Sequence, residues 1–271
     1  MGVIDKAAVV RYIRRMLLAI DIGNTATVFG VFDGQKLVGK FRLSSRETPP
    51  VDQGRRMVEK ELEQLSVGED KIDRVVIASV VPHLTDLYAG IAERMAGGTP
   101  LVVTGATPLP IKLAYDDPLT LGADRIANAV GAFTRLGGPI IVVDFGTAIT
   151  FDVVTGDGIF WGGIIIPGPA VAGRNLAEST GQLPEVELEK PKRIIGRNTT
   201  DAIKSGLFFG TAGQVDTLIA MIRQELNTDA RVIATGGWAP MFAPLSDFIE
   251  TSFPTLTLEG LRLISEYQDS Q

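Results

Sequence analysis

The residues of this chain best suited to chemistry are three aspartates, each set among small or glycine residues. Asp21 closes an apolar run and leads into Ile22, Gly23, Asn24, Thr25, Ala26, Thr27 and Val28. Asp144 closes a second apolar run and leads into Phe145, Gly146 and Thr147, with Thr150 three residues on. Asp124 stands in Gly122-Ala123-Asp124-Arg125, at the head of a stretch rich in Ala, Val and Ile. A strand that ends in Asp-x-Gly with a hydroxyl or amide side chain leaves backbone N–H groups and hydroxyls free to hold phosphate oxygens, because glycine permits close approach. Either turn alone is also what an ordinary hairpin needs, since Asp and Asn satisfy turn backbones. The two together form a two-sided phosphate clamp. Two carboxylates beside a polyphosphate repel it unless a hard cation intervenes, so Mg²⁺ is implied if ATP is the ligand.

Asp124 admits two readings on residue chemistry. At a helix start it serves as a cap or as a first-turn charge that complements the macrodipole. Next to Arg125, and after two small residues, it also suits a general base beside an anion-binding guanidinium. Thr235-Gly236-Gly237 at a further strand end offers a flat backbone surface to adenine or ribose. The single histidine, His83, reads as a surface or capping residue, and Trp161 and Trp238 are left without a role.

Composition narrows the chemistry. With 0 Cys, disulfides, thiolate nucleophiles and Cys-ligated metals are excluded, and 1 His excludes a multi-histidine metal site. Carboxylates must carry any acid–base step. A formal charge of -6 argues against a nucleic-acid partner, whose phosphates are met by clustered Lys and Arg. No apolar run approaches the roughly 18 residues that span a bilayer, so no membrane partner and a cytoplasmic location are expected.

The elements that position these residues read as two similar blocks. From Leu17 the pattern is strand, Gly-Asn turn, strand, Asp33-Gly34 turn, strand, followed by a helix at 51–65, a strand at 74–81, a helix at 85–95 and a short strand at 101–103. Residues 105–120 read as an irregular connection. A helix over 121–136 comes next, and the opening theme then restarts at Pro139, with later helices at about 167–180, 200–226 and 258–267 and a strand at 231–234. Such repetition predicts an α/β protein of two duplicated lobes with mixed five-stranded sheets, divided as an extension or tail at 1–15, a lobe at 16–120 and a lobe at 121–271. Helix 121–136 would bridge an interlobe cleft, where ligands tend to bind. Residues 1–15 have the pattern of a short basic amphipathic helix or an upstream tail.

Assembled in order, these features resemble the type III pantothenate kinase family, of the acetate and sugar kinase, Hsp70 and actin superfamily. The resemblance spans about Met16 to Leu263. It is carried by DIGNT at 21–25, SVVP at 79–82, Tyr115, GADR at 122–125, DFGTAIT at 144–150, IIPG at 165–168, QLP at 182–184, Asn198-Thr199 and TGG at 235–237. It implies an actin-like (ribonuclease H-like) fold and ATP-dependent phosphorylation of pantothenate to 4′-phosphopantothenate, the first step of coenzyme A synthesis. By resemblance Asp21 to Val28 form the phosphate loop, Thr147 contacts ATP, and Asp124 is the general base. Tyr115, Gly122, Ala123, Asp124, Arg125 and Thr199 hold pantothenate, Arg125 near its carboxylate. Asp144 is implied as ligand of a monovalent cation, K⁺ or NH₄⁺, and the family is homodimeric, with Thr199 a candidate contribution from the partner chain. The chain departs from the pattern at residues 1–15, which are extra, and at Thr180-Gly181, where Thr-Ala is usual. On the same scaffold, a phosphatase or NTPase and a nucleotide-dependent regulatory protein are the alternative readings.

Overall fold

A computed structural model describes residues 16–271. The basic segment 1–15, with its expected helix or tail, lies outside the described residues. The chain divides into two compact units, one formed within Met1–Ile77 and Val81–Val102, the other from Ala78–Val80 and Val103–Gln271.

The first unit opens with β1 (Met16–Ile22), β2 (Ala26–Asp33) and β3 (Lys36–Ser44), an antiparallel meander. Helix α1 (Val51–Gln64), β4 (Ile72–Ser79), α2 (Pro82–Ala96) and β5 (Leu101–Val102) follow, giving a sheet in the order β3-β2-β1-β4-β5. Pro82 at the first turn of α2 and left-handed Gly97 at its end fix that helix, because proline lacks only an N–H that would be unsatisfied there and glycine takes positive φ without strain. Alternate residues Leu18, Ile20 and Ile22 of β1 and Phe29 and Val31 of β2 meet Val58 and Leu62 of α1 and Leu84, Leu87 and Ile91 of α2 in one core. Phe29 stacks on Phe41 at 4.5 Å and meets the edge of Tyr88 at 5.3 Å, which joins the meander to α2. Each fully buried side chain of this kind contributes roughly 1.5–3 kcal/mol.

The second unit repeats the scheme. After β6 (Lys112–Leu113) and α3 (Ala123–Leu136) comes a meander of β7 (Ile140–Phe145), β8 (Ala148–Val154) and β9 (Ile159–Pro167). Then follow α4 (Pro169–Ser179), α5 (Thr199–Leu226), β10 (Arg231–Thr235), α6 (Ala239–Phe242), β11 (Thr251–Ser252) and α7 (Leu256–Asp269). The sheet order is β11-β10-β7-β8-β9-β6. Without β6 it reads β9-β8-β7-β10-β11, the same order as the first sheet, so the duplication expected from sequence is present. Two differences stand out. The sheet has six strands rather than five, and the stretch read as irregular contains β6, which adds to β9 in parallel.

One face of this sheet carries Ile141, Val143 and Phe145 of β7 and Ile149, Phe151 and Val153 of β8, packed on Phe208, Val215 and Ile219 of α5. By the two-residue period of a strand, Asp144, Thr150 and Asp152 point to the opposite face. Helix α3 packs there on β7 and β8, and α7 packs on α3. The α3–α7 seam is built from small residues. A side chain on Gly260 would run into the Ala127 carbonyl, and one on Gly131 would stand 3.0 Å from the Leu256 carbonyl oxygen.

Candidate active site

The site in the second unit is assembled on the sheet face that α3 covers. Gly122 is the N-cap of α3 and no side chain caps the helix, so Asp124 is a first-turn residue rather than the cap. Its Oδ1 accepts from the Arg125 backbone N–H at 2.8 Å. Burial pushes the Asp124 carboxyl above the ordinary carboxylate range, against the opposing pull of the Arg125 N–H and charge. A carboxylate made more basic by desolvation is a better proton acceptor.

Arg125 turns the other way, into the protein. Its Nε donates to Asp152 Oδ1 at 2.6 Å, and the two side chains are 7% and 0% exposed. Its guanidinium carbon lies 5.6 Å from the centre of the Phe160 ring, and Tyr115 meets the edge of that ring at 6.0 Å. Burial lowers the guanidinium's pKa, but the Asp152 charge and hydrogen bond, together with Tyr115, outweigh it and hold the group above its usual value. Burial likewise pushes Asp152 up to about 7 against the pull of Arg125, with Asp124 and Asp144 adding repulsion.

Asp144 is fixed from two sides. Asn128, fully buried one turn after Asp124, donates from Nδ2 to Asp144 Oδ2 at 2.9 Å, while Asn128 Oδ1 accepts from Thr257 Oγ1 at 2.8 Å. Gly236, at φ 92°, abuts Asp144 Oδ1 so closely that a Cβ would collide with it. Burial raises the Asp144 carboxyl to about 6, against the Asn128 hydrogen bond, and Asp124 raises it further.

The structure thus brings Tyr115, Gly122, Ala123, Asp124, Arg125 and Asp144 into one neighbourhood. Thr147 is exposed on the β7–β8 turn, where its carbonyl accepts from Gly168 N–H at 3.0 Å. Thr199 is exposed on the first turn of α5, which Asn198 caps by accepting from Asp201 N–H at 2.8 Å, and the hydrogen bonds around Asp124 and Arg125 do not include it. The segment Asp21 to Val28 belongs to the first unit, where it spans the end of β1, the turn and the start of β2. Asn24 and Thr25 are exposed at its tip, and buried Thr27 shares a 2.9 Å hydroxyl contact with Ser45. Each Asp-x-Gly turn is closed from its glycine, but the second is one residue tighter: Gly23 N–H donates to the Ala26 carbonyl at 3.2 Å, and Gly146 N–H to the Ala148 carbonyl at 3.0 Å. His83 is exposed on the first turn of α2, without a capping hydrogen bond.

Sequence reasoning missed Asp152, Asn128 and Thr257. The signal for Asp152 was an acidic residue inside an apolar strand, which demands a cationic partner when buried. Among the described residues no group of three or more His, Cys, Asp or Glu is gathered as a metal site. Asp124 and Asp144 act on Asp152, and Asp124 on Asp144, as like charges that disfavour the ionised carboxylates.

Strand order places both units in the actin-like class of fold. The fold is shared with solved structures of low identity: the activator of 2-hydroxyisocaproyl-CoA dehydratase from Clostridium difficile (TM-score 0.55, 13% identity, covering 94% of this chain and 97% of that one) and the ROK hexokinase from Thermus thermophilus (TM-score 0.52, 14% identity, covering 94% and 99%). The family model described as type III pantothenate kinase matches residues 17–221. Curated type III pantothenate kinases from Desulfosudis oleivorans and Geobacter sulfurreducens are 43% and 40% identical, covering 92% and 93% of this chain and 98% of each relative. The chain belongs to the type III pantothenate kinase family.

Proposed function

We propose that this chain transfers the γ-phosphoryl group of ATP to the primary hydroxyl of pantothenate, giving 4′-phosphopantothenate for coenzyme A synthesis, with Asp124 as general base. The observation that carries this reading is the pairing of roles on the first turn of α3. There a desolvated carboxylate of raised basicity adjoins an arginine locked in place by Asp152. Asp124 takes the hydroxyl proton as attack proceeds, and the adjacent guanidinium holds the acceptor's carboxylate. Asp21 to Val28 serve as the phosphate loop and Thr147 as an ATP contact, each by its own N–H groups and hydroxyls. Phosphoryl transfer needs positioning and charge neutralisation and no covalent nucleophile, in keeping with a chain that has no Cys.

Mg²⁺ carried by ATP would neutralise the phosphates, and K⁺ or NH₄⁺ would be held by Asp144. Asp144 fits such a role because Asn128 engages only Oδ2 through a hydrogen bond, while the neighbouring carboxylates favour a cation. We further read the protein as a cytoplasmic homodimer. Among the described residues no helix is long and apolar enough to cross a membrane. Trp161 and Ile165 of β9 are 57% and 59% exposed, an apolar surface that a second copy would cover, with Thr199 supplied across the dimer.

The decisive assay supplies purified protein with ATP, Mg²⁺ and K⁺, with and without pantothenate, and follows ADP and 4′-phosphopantothenate. Phosphate release that does not depend on the acceptor would make the protein a hydrolase instead.

A further inference from the structure

Asp152 and Gly163 sit directly opposite each other on β8 and β9, so both address the face on which the Arg125 guanidinium lies. Asp152 takes the Nε edge. At the other end, Nη2 is buried and makes no hydrogen bond of good geometry among the described residues, although Tyr115 stands close enough to act on the guanidinium. It lies beside Gly163, a residue open to solvent, where a Cβ would stand 2.7 Å from Nη2 and collide with the Phe151 carbonyl. An unpartnered guanidinium N–H in a buried setting costs free energy comparable to a lost charged hydrogen bond, so its retention points to a ligand atom that completes it. A lone arginine rotates freely about its last bonds. One whose Nε is anchored presents its remaining edge in a fixed direction.

We propose that Asp152 is a positioning residue for substrate selection: by anchoring Arg125 Nε it aims Nη2 past Gly163 at the carboxylate of the acceptor. The proposal rests on the reading that the acceptor is pantothenate held at Arg125. Asp152, fully buried, touches no substrate and acts through the guanidinium alone. It therefore contributes to recognition of the carboxylate and little to phosphoryl transfer itself.

The test is Asp152→Asn, assayed with pantothenate and with its uncharged primary amide. With pantothenate, KM is expected to rise tenfold or more while kcat stays within about threefold and KM for ATP is unchanged. With the amide, wild type and variant should differ less than twofold in kcat/KM. A KM for pantothenate that does not move, or equal losses on both acceptors, overturns the proposal by reducing Asp152 to a packing residue. Wild-type protein that fails to phosphorylate pantothenate refutes the functional reading instead. Should the variant not fold, the intact enzyme answers by NMR, with the Arg125 side-chain signals assigned by their loss in Arg125→Lys. The Arg125 Nε–H is expected to exchange slowly with solvent before substrate is added, and pantothenate to perturb the Nη protons. A rapidly exchanging Nε–H, or Nη protons indifferent to pantothenate, overturns it.

Discussion

Asn128 Nδ2 lies 2.9 Å from Asp144 Oδ2, one helical turn beyond Asp124, so one helix both presents the proposed base and holds the carboxylate beneath it. The Thr257 hydroxyl donates to the same amide, which leaves Asn128 no freedom to flip. Fully buried and bonded at both ends, it is a satisfied polar link rather than a liability.

Removing that link has a defined cost. Asn128→Ala strands the Thr257 hydroxyl and Asp144 Oδ2, and is expected to destabilise by about 1–3 kcal/mol in a denaturant titration. Thr257→Ala should cost about 1 kcal/mol, and the double variant clearly less than the sum, because both changes break one chain of bonds.

Asp124→Asn separates chemistry from stability. As a first-turn residue and not the cap, Asp124 adds only a macrodipole contribution of about 0.3–1 kcal/mol, offset by its desolvation. Turnover should fall by about 10²–10⁴-fold, with ATP binding retained and the melting temperature within a few degrees of wild type.

The raised carboxyls make stability depend on pH. An acid whose folded pKa lies above its unfolded value binds its proton more tightly in the native state. Its stabilising contribution is complete below the unfolded value of 3.8 and is lost as pH rises through the folded value, about 6 for Asp144 and about 7 for Asp152. Asp144→Asn removes one such group. Its stability relative to wild type should therefore climb between pH 4 and pH 8, by on the order of 2 kcal/mol in cation-poor buffer. A flat difference across that range would mean that Asp144 titrates normally.

Much of this was legible in the sequence. Two β-meanders showed through alternating apolar residues and Gly-containing turns, and the long helices through their apolar stretches, because these signals are local. What escaped notice was short or distant. Strands β6 and β11 have two residues each, too few to carry a period. The Asp152–Arg125 pair spans 27 positions and exists only through the register of β8 against β9 and the seating of α3. Asn128 was hidden in a helix whose neighbours are all apolar. Its meaning depends on Thr257, far along the chain.

Gly236→Ala tests the backing of Asp144 from the β10 side. At φ 92°, with a Cβ directed at Asp144 Oδ1 and 2.6 Å from the Phe145 carbonyl oxygen, alanine is expected to cost about 1–3 kcal/mol or more in thermal unfolding. Activity should fall further than stability, because the carboxylate must move to make room.

The proposed dimer is checked by Ile165→Glu. A charge placed on the exposed apolar stretch of β9 should shift the protein from dimer to monomer in sedimentation equilibrium, leaving the far-ultraviolet spectrum unchanged. If wild type sediments as a monomer, the apolar surface has another use.

The glycine-lined contact of α3 with α7 has a practical consequence. Backbone meets backbone where Gly260 abuts Ala127 and Gly131 abuts Leu256, so the two helices are clamped together without the slack that side chains would give. The matched family region stops at residue 221, yet the C-terminal helix beyond it is the brace behind the proposed base. Trimming the chain before Leu256, or splicing a fusion partner into that helix, would disturb catalysis as directly as an edit in the site itself.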